Sequence, residues 1–394
     1  MTSPGRFRIL LAAFVGSMLL LSACSGDADT TGTDAAPTST ADETPTEAPA
    51  AAPDSTLDAL LDPGPDTHLG ATWFSPPDPD SEALVRERWE ETNDASSIGR
   101  VMIDWIEVEP DRGDYRLDDV DEALGDLVDA GLRPMLSVVA RDTSGTEFPE
   151  WLDGFEPHEA AAAYLAMAEQ LVPIMERHGV WMFAIANEPP LAEDDDLDRG
   201  DFATFVELVV AGMDGLAPDL ATTFTFAGGD PLIDDPDIDR MIAAVDVLSV
   251  NHYCLQVDLR VIDLADATAN IDRVVERAGD LPVVFQEFGC PASTAMGSSE
   301  EYQLAWFEVA FAHIAELEQV RAAFVFEFLD WSQATFDADY GDVTEILVAE
   351  IGQGFADRLA EWLLTAGLVR SDGSPRPAFD LYVETAPLLA AADS

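Results

Sequence analysis

Lysine is absent from this 394-residue sequence: its 19 basic residues are all arginine, set against 77 aspartates and glutamates, for a formal net charge of -58. Phosphate binding needs a basic face, so nucleic acid is excluded as a partner. Bulk polyanionic polysaccharide is disfavoured for the same reason. An acid excess of this size reads as a heavily solvated surface rather than a specific binding patch. A GxGxxG loop is also missing after the first predicted strand, which speaks against a doubly wound dinucleotide fold. Beyond the N-terminus there is no candidate membrane span. From Ser25 to about Asp66 there is no aromatic residue at all. That stretch of Thr, Ala, Pro, Asp, Glu and Ser cannot bury enough apolar surface to fold, and prolines 37, 45, 49 and 53 within it keep it extended.

What is present begins with a targeting signal. Arg6 and Arg8 precede an apolar run from Ile9 to Leu21, too short to span a bilayer but suited to a signal-peptide core. The run ends in "LSAC", Leu21 to Cys24, which resembles the bacterial lipoprotein cleavage box. That resemblance implies a signal peptide over residues 1–23, lipidation of Cys24 and anchoring on the outer face of the cell membrane. Residues 24–66 then form a tether, and 67–394 the folded domain.

Within the domain, short apolar runs alternate with longer amphipathic segments. Strands are predicted at 68–74, 100–106, 133–139, 181–187, 222–227, 246–252, 282–288 and 321–328. Helices are predicted at 80–92, 118–131, 157–178, 201–216, 235–244, 263–278 and 299–318, with a last helical stretch at 353–366. Eight strands alternating with eight helices imply a parallel sheet and the α/β class. The span suits a (β/α)8 TIM barrel.

In such a barrel the chemistry lies at the C-terminal strand ends. Strand four ends in Asn187-Glu188 and strand seven in "QEFG", which carries Glu287. The two glutamates are 287 − 188 = 99 residues apart, three βα units of 33, which puts them across one mouth. A carboxylate pair facing one cavity is what glycoside hydrolysis requires. One carboxyl stays protonated for the leaving oxygen, the other is ionised to attack the anomeric carbon, and their repulsion separates the pKa values.

Four stretches in order now carry a resemblance. "ANEP" is similar to the strand-four Asn-Glu-Pro motif of the glycoside hydrolase clan A superfamily, the retaining barrel glycosidases that include the cellulase- and mannanase-like family five. "VVFQEFG" resembles that clan's strand-seven motif. The passage from 100 to 139 looks like its strand-two to strand-three region, and "GLVRSDGSPRPAFDLY" like its closing tail. The resemblance implies Glu188 as acid/base, Glu287 as nucleophile and Asn187 as the partner of the sugar 2-hydroxyl. It further implies Tyr253 as the hydroxyl that holds the nucleophile and Arg100 as the strand-two arginine beside it. Trp331 is the candidate aromatic floor from strand eight, with Phe328 competing. Many members carry His where this chain has Asn251, which can bond substrate but cannot titrate. Strand alternation puts Asn251 and Tyr253 on one face and His252 on the other.

Trp73 and Trp151 fall in or beside loops and are the candidate stacking platforms for sugar rings. Cys254 and Cys290 follow neighbouring strands at the same end, so they form either a disulfide or two buried thiols. The acidic "EDDDLDRGD", 193–201, fails the EF-hand spacing and reads as a groove-edge loop.

The implied activity is a surface-tethered retaining glycosidase acting on O-glycosidic, β-type bonds of a neutral poly- or oligosaccharide. No cofactor or metal is needed, the partners are the carbohydrate and the membrane through Cys24, and a monomer is expected. The alternative is a catalytically inactive carbohydrate-binding lipoprotein on the same barrel.

Overall fold

The computed structural model describes residues 67–390, apart from 75–76, 78, 143–147, 153, 190–197 and 257. The signal segment, Cys24, the tether and the core of the acidic loop therefore lie outside the described residues.

Eight strands run β1 His68–Ala71, β2 Ile98–Asp104, β3 Arg133–Val139, β4 Met182–Asn187, β5 Ala221–Phe226, β6 Leu248–Tyr253, β7 Val283–Gly289 and β8 Val320–Val325. All pair in parallel, in the order β1-β8-β7-β6-β5-β4-β3-β2. At the remaining seam, Ser97 N–H donates to Leu69 C=O (3.2 Å), so the sheet curls into a nearly closed barrel. The apolar runs were legible as strands because both faces are covered, the inner by the barrel core and the outer by helices.

Among the described residues, seven longer helices alternate with the strands: α1 Glu82–Ala95, α2 Asp118–Asp129, α3 Pro157–His178, α4 Arg199–Leu216, α5 Pro236–Ala244, α6 Ala269–Ala278 and α7 Glu300–Ile314. Several start on a side chain that accepts from the first-turn N–H groups: Glu156 for α3, Asp198 for α4, Asp235 for α5 and Ser299 for α7. Such caps satisfy donors that the helix itself cannot, and the anionic ones also suit the positive end of the helix dipole.

After β8 the chain departs from the predicted order. Two further helices, α8 Gln333–Glu350 and α9 Gln353–Leu363, come before α10 Pro377–Leu389. The stretch expected to close the ring, 353–366, is instead an insertion. The eighth outer helix is α10, which packs between α1 and α7: Tyr382 Oη bonds Ser96 Oγ (2.7 Å) and its ring meets Phe311. Helix α8 was not foreseen, because its apolar and acidic residues do not segregate to one face.

The barrel interior changes character along its axis. Ile98, Met135, Met182, Ala221, Val247, Val284, Ala322 and Phe324 form an apolar plug toward the N-terminal strand ends. Gly70 makes room for that plug, since a Cβ there would stand 2.8 Å from the Phe324 ring. Farther along the same strands come Arg100, Thr225, Ser249 and Gln286, so the polar end of the barrel is its C-terminal end.

Candidate active site

Strand four reaches the mouth with a break in its regular pairing. Its register against β5 shifts between Ala184 and Asn187. Glu188 then adopts φ +43°, a left-handed conformation that costs an ordinary residue roughly 1–2 kcal/mol. Its N–H is held by Thr225 C=O at 2.8 Å. The outcome is that Asn187 and Glu188, adjacent in sequence, both reach the same side chain, Asn251 of β6.

Asn187 is fixed from three sides. Its Oδ1 accepts from Gln286 Nε2 (3.0 Å) and Asn251 Nδ2 (3.3 Å), and its Nδ2 donates to Asp142 Oδ2 (3.0 Å). Gln286 is in turn oriented by the Thr225 hydroxyl (2.5 Å), which also contacts Ser249 (3.0 Å). With both ends of the Asn187 and Gln286 amides engaged, this buried network admits one orientation of each.

The two glutamates have different surroundings. Among the described residues, Glu188 Oε1 accepts one hydrogen bond, from Asn251 Nδ2 at 2.9 Å. Burial, then the negative charges of Glu287 and Asp142, push its pKa well above the ordinary carboxyl range, and only the Asn251 bond pulls the other way. Glu287 is also raised by burial, but Arg100 and Tyr253 oppose the shift. Arg100 Nη1 lies 3.4 Å from Glu287 Oε1, and the Tyr253 hydroxyl donates to Glu287 Oε2. Of the pair, Glu188 is therefore the one that holds its proton more strongly and Glu287 the more readily ionised.

A ring against Tyr253 comes from a residue the sequence did not single out. Phe326, at the end of β8, lies 5.6 Å edge-on from Tyr253. Phe328 instead packs outward on Trp73 and Trp89. Trp73 thus belongs to that outer aromatic layer, while its neighbour Phe74 is 39% exposed beside Phe326 and Arg100. Trp151 is partly buried, edge-on to Trp105, with its Nε1 on Glu109 C=O (3.0 Å). Trp331 is partly buried and donates Nε1–H to Glu327 Oε1 (2.9 Å). His252 is buried among Phe285, Phe288 and Trp306, behind the site, and burial lowers its pKa to about 4.

The inserted helix α9 forms the wall over β6–β8. Trp362 packs on both Tyr253 (4.9 Å) and Phe326 (5.7 Å). Arg358 Nε reaches Asp258 C=O (2.5 Å) beyond β6, and Glu361 accepts from Ser293 Oγ (2.5 Å) beyond β7. Beneath it, Cys254 and Cys290 are joined in a buried disulfide between the ends of β6 and β7.

Asp142, Gln286, Phe326 and Trp362 were missed from sequence. Only Asp142 and Gln286 had a signal, as polar residues at the ends of apolar strands. No local pattern marks a phenylalanine as floor or a helix as wall.

The fold is that of (β/α)8 glycosidases of known structure. The exo-β-1,4-mannosidase Op5Man5 from an Opitutaceae bacterium superposes with a TM-score of 0.63 at 16% identity, over 83% of this chain and 60% of that one. A GH5_18 protein from Streptomyces cattleya in complex with GlcNAc gives 0.61 at 16%, over 84% and 82%. Xylanase 10B from Thermotoga maritima gives 0.55 at 13%, over 86% and 100%. At these identities the likeness establishes the shared architecture. No protein-family model matches the sequence, and no curated protein matches it.

Proposed function

We propose that the protein is a retaining glycoside hydrolase that cleaves β-linked neutral oligo- or polysaccharides. The observation that carries this is the asymmetric pair: Glu287 between Arg100 and the Tyr253 hydroxyl, Glu188 beside it with one neutral donor and a strongly raised pKa. Structural neighbours described as a β-mannosidase, a xylanase and a complex with Manβ1-4GlcNAc support the same reading.

In this mechanism a Glu287 oxygen attacks the anomeric carbon. The glycosidic C–O bond breaks as the Glu188 proton passes to the leaving oxygen. Glu188, now ionised, takes a proton from water, and the resulting hydroxide displaces Glu287 from the glycosyl ester. Tyr253 and Arg100 orient the nucleophile in both halves. Asn187, locked by three partners, presents an amide to the sugar at the site edge. The N-terminal reading adds that the enzyme is lipid-anchored through Cys24 on the outer face of the membrane, which a Cys24→Ala variant recovered free in the medium would support.

The experiment is hydrolysis of activated aryl β-glycosides by the wild type and by Glu287→Ala. Loss of turnover in the variant, with a glycosyl-enzyme mass adduct on Glu287 in the wild type, supports the reading. Unchanged hydrolysis removes it. A wild type that binds oligosaccharides and cleaves none would leave a binding protein on the same barrel.

A further inference from the structure

One carboxyl at the barrel mouth takes no part in the double displacement. Glu327 follows Phe326 at the end of β8 and is wholly buried. Its Oε1 accepts the indole N–H of Trp331 (2.9 Å), and its Oε2 the backbone N–H of Phe74 (3.4 Å). The backbone on either side is pinned as well, with Leu368 N–H on Glu327 C=O (3.1 Å) and Phe328 N–H on Thr72 C=O (2.7 Å).

A buried carboxyl is costly where an apolar side chain of the same size would fill the space. Here it ends two N–H donors that arrive from different segments, the chain after β1 and the chain after β8. These strands are direct neighbours in the barrel. Each donor belongs to an aromatic residue. Phe74 is 39% exposed, its ring 6.0 Å from Phe326 and 5.9 Å from the Arg100 guanidinium that holds Glu287. Trp331 is partly buried, edge-on to Tyr340 of α8. Burial pushes the Glu327 pKa up to about 8, with Glu287 and Asp330 adding to the rise and the two N–H bonds opposing it. At neutral pH the group is therefore mostly uncharged and adds little repulsion to the nucleophile.

Resting on the glycosidase reading, we propose that Glu327 is a positioning residue that fixes Phe74 and Trp331 as the two aromatic sides of a second sugar-binding position, next to the one where the bond is cleaved. The substrate is then an oligosaccharide of neutral sugars, whose second ring lays its C–H face on these rings. A pyranose face and an aromatic face meet by apolar contact, without a charge on either partner.

The test compares aryl monoglycosides with short oligosaccharides of the same sugar, for wild type, Glu327→Gln, Trp331→Phe and Phe74→Ala. Gln keeps one acceptor and loses the other, whereas Trp331→Phe keeps an aromatic ring but removes the N–H together with part of the ring area. In each variant the ratio of kcat/KM for oligosaccharide over monoglycoside falls by about fivefold or more, carried by KM. A smaller change, or an equal loss on both substrates, overturns the proposal. If Glu327→Gln does not fold, the other two variants decide, since neither alters a fully buried side chain. A wild type that cleaves no glycoside would sink the glycosidase reading alone. The same ratio, read as oligosaccharide over monosaccharide affinity by titration calorimetry, would then still decide the clamp.

Discussion

Asn251 on β6 donates its Nδ2 hydrogen to Glu188 Oε1 at 2.9 Å, across the width of β5. This bond favours the ionised form of Glu188, against burial and three neighbouring carboxylates. Removing it in Asn251→Ala leaves every cause that raises the pKa. Glu188 then holds its proton to higher pH, so the alkaline limb of kcat/KM moves up. A pH–rate profile on an aryl glycoside with a poor leaving group checks this, and a limb that moves down would contradict it.

Glu188→Gln separates the two half-reactions. With a good leaving group no proton is needed for the first step, so glycosyl-enzyme still forms, but water is no longer activated. Turnover falls by about 10²–10⁴-fold, the usual contribution of a positioned acid/base. Added azide restores it, because an anionic nucleophile needs no base. Burst kinetics with and without azide measure both.

The disulfide closes a loop of 36 residues between the ends of β6 and β7. Loop-closure entropy predicts that Cys254→Ser with Cys290→Ser lowers stability by about 3–4 kcal/mol. Tyr253 and Gly289 are the residues just before the two cysteines and are paired in the sheet. The double variant therefore loses kcat as well, as the Tyr253–Glu287 contact loosens. Denaturant unfolding and steady-state kinetics read the two effects separately.

Stability falls as the solution is made more alkaline. Burial raises Asp330 to about 6 and Glu327 to about 8. Raised carboxyl pKa values mean that the folded state binds these protons more tightly than the unfolded one. Their contribution is complete below the ordinary carboxyl range and is lost as pH rises through the folded values. Unfolding free energy measured from about pH 5 to about pH 8.5 declines, and Glu327→Gln flattens the upper part of that decline.

Arg376 holds Asp330 by two parallel bonds of 2.7 and 2.6 Å in a site where both side chains are buried. Arg376→Met leaves the carboxylate without its cation. The expected cost is about 3–5 kcal/mol, and the paired variant Arg376→Met with Asp330→Leu recovers most of it. Chemical denaturation of the three proteins measures this.

Much of this site could be read before the fold was known, for one physical reason. A strand buried on both faces must be apolar, so a polar residue at its end stands out. Asn187, Glu188, Tyr253 and Glu287 were visible in that way, and the (β/α)8 order with them. The same rule hides the aromatic parts. Phe326 continues an apolar strand, Phe74 follows Trp73, and nothing local says which of the two rings turns inward. The insertion 333–363 was half seen, because α9 has a clear apolar face and α8 has none. Its position over β6–β8 rests on contacts between residues about a hundred apart, such as Arg358 with Asp258.

That insertion also fixes the order in which the working protein can come into being. A growing chain that has emerged as far as Gly289 already carries Arg100, Glu188, Tyr253 and Glu287. It still lacks β8, Phe326 and Trp362, whose rings pack against Tyr253. The outer helix that seals α1 against α7 comes later still. Both glutamates and the side chains that hold them are therefore made before the Phe326 ring, the Trp362 wall and the sealing helix, all of which come from the last fifth or so of the chain.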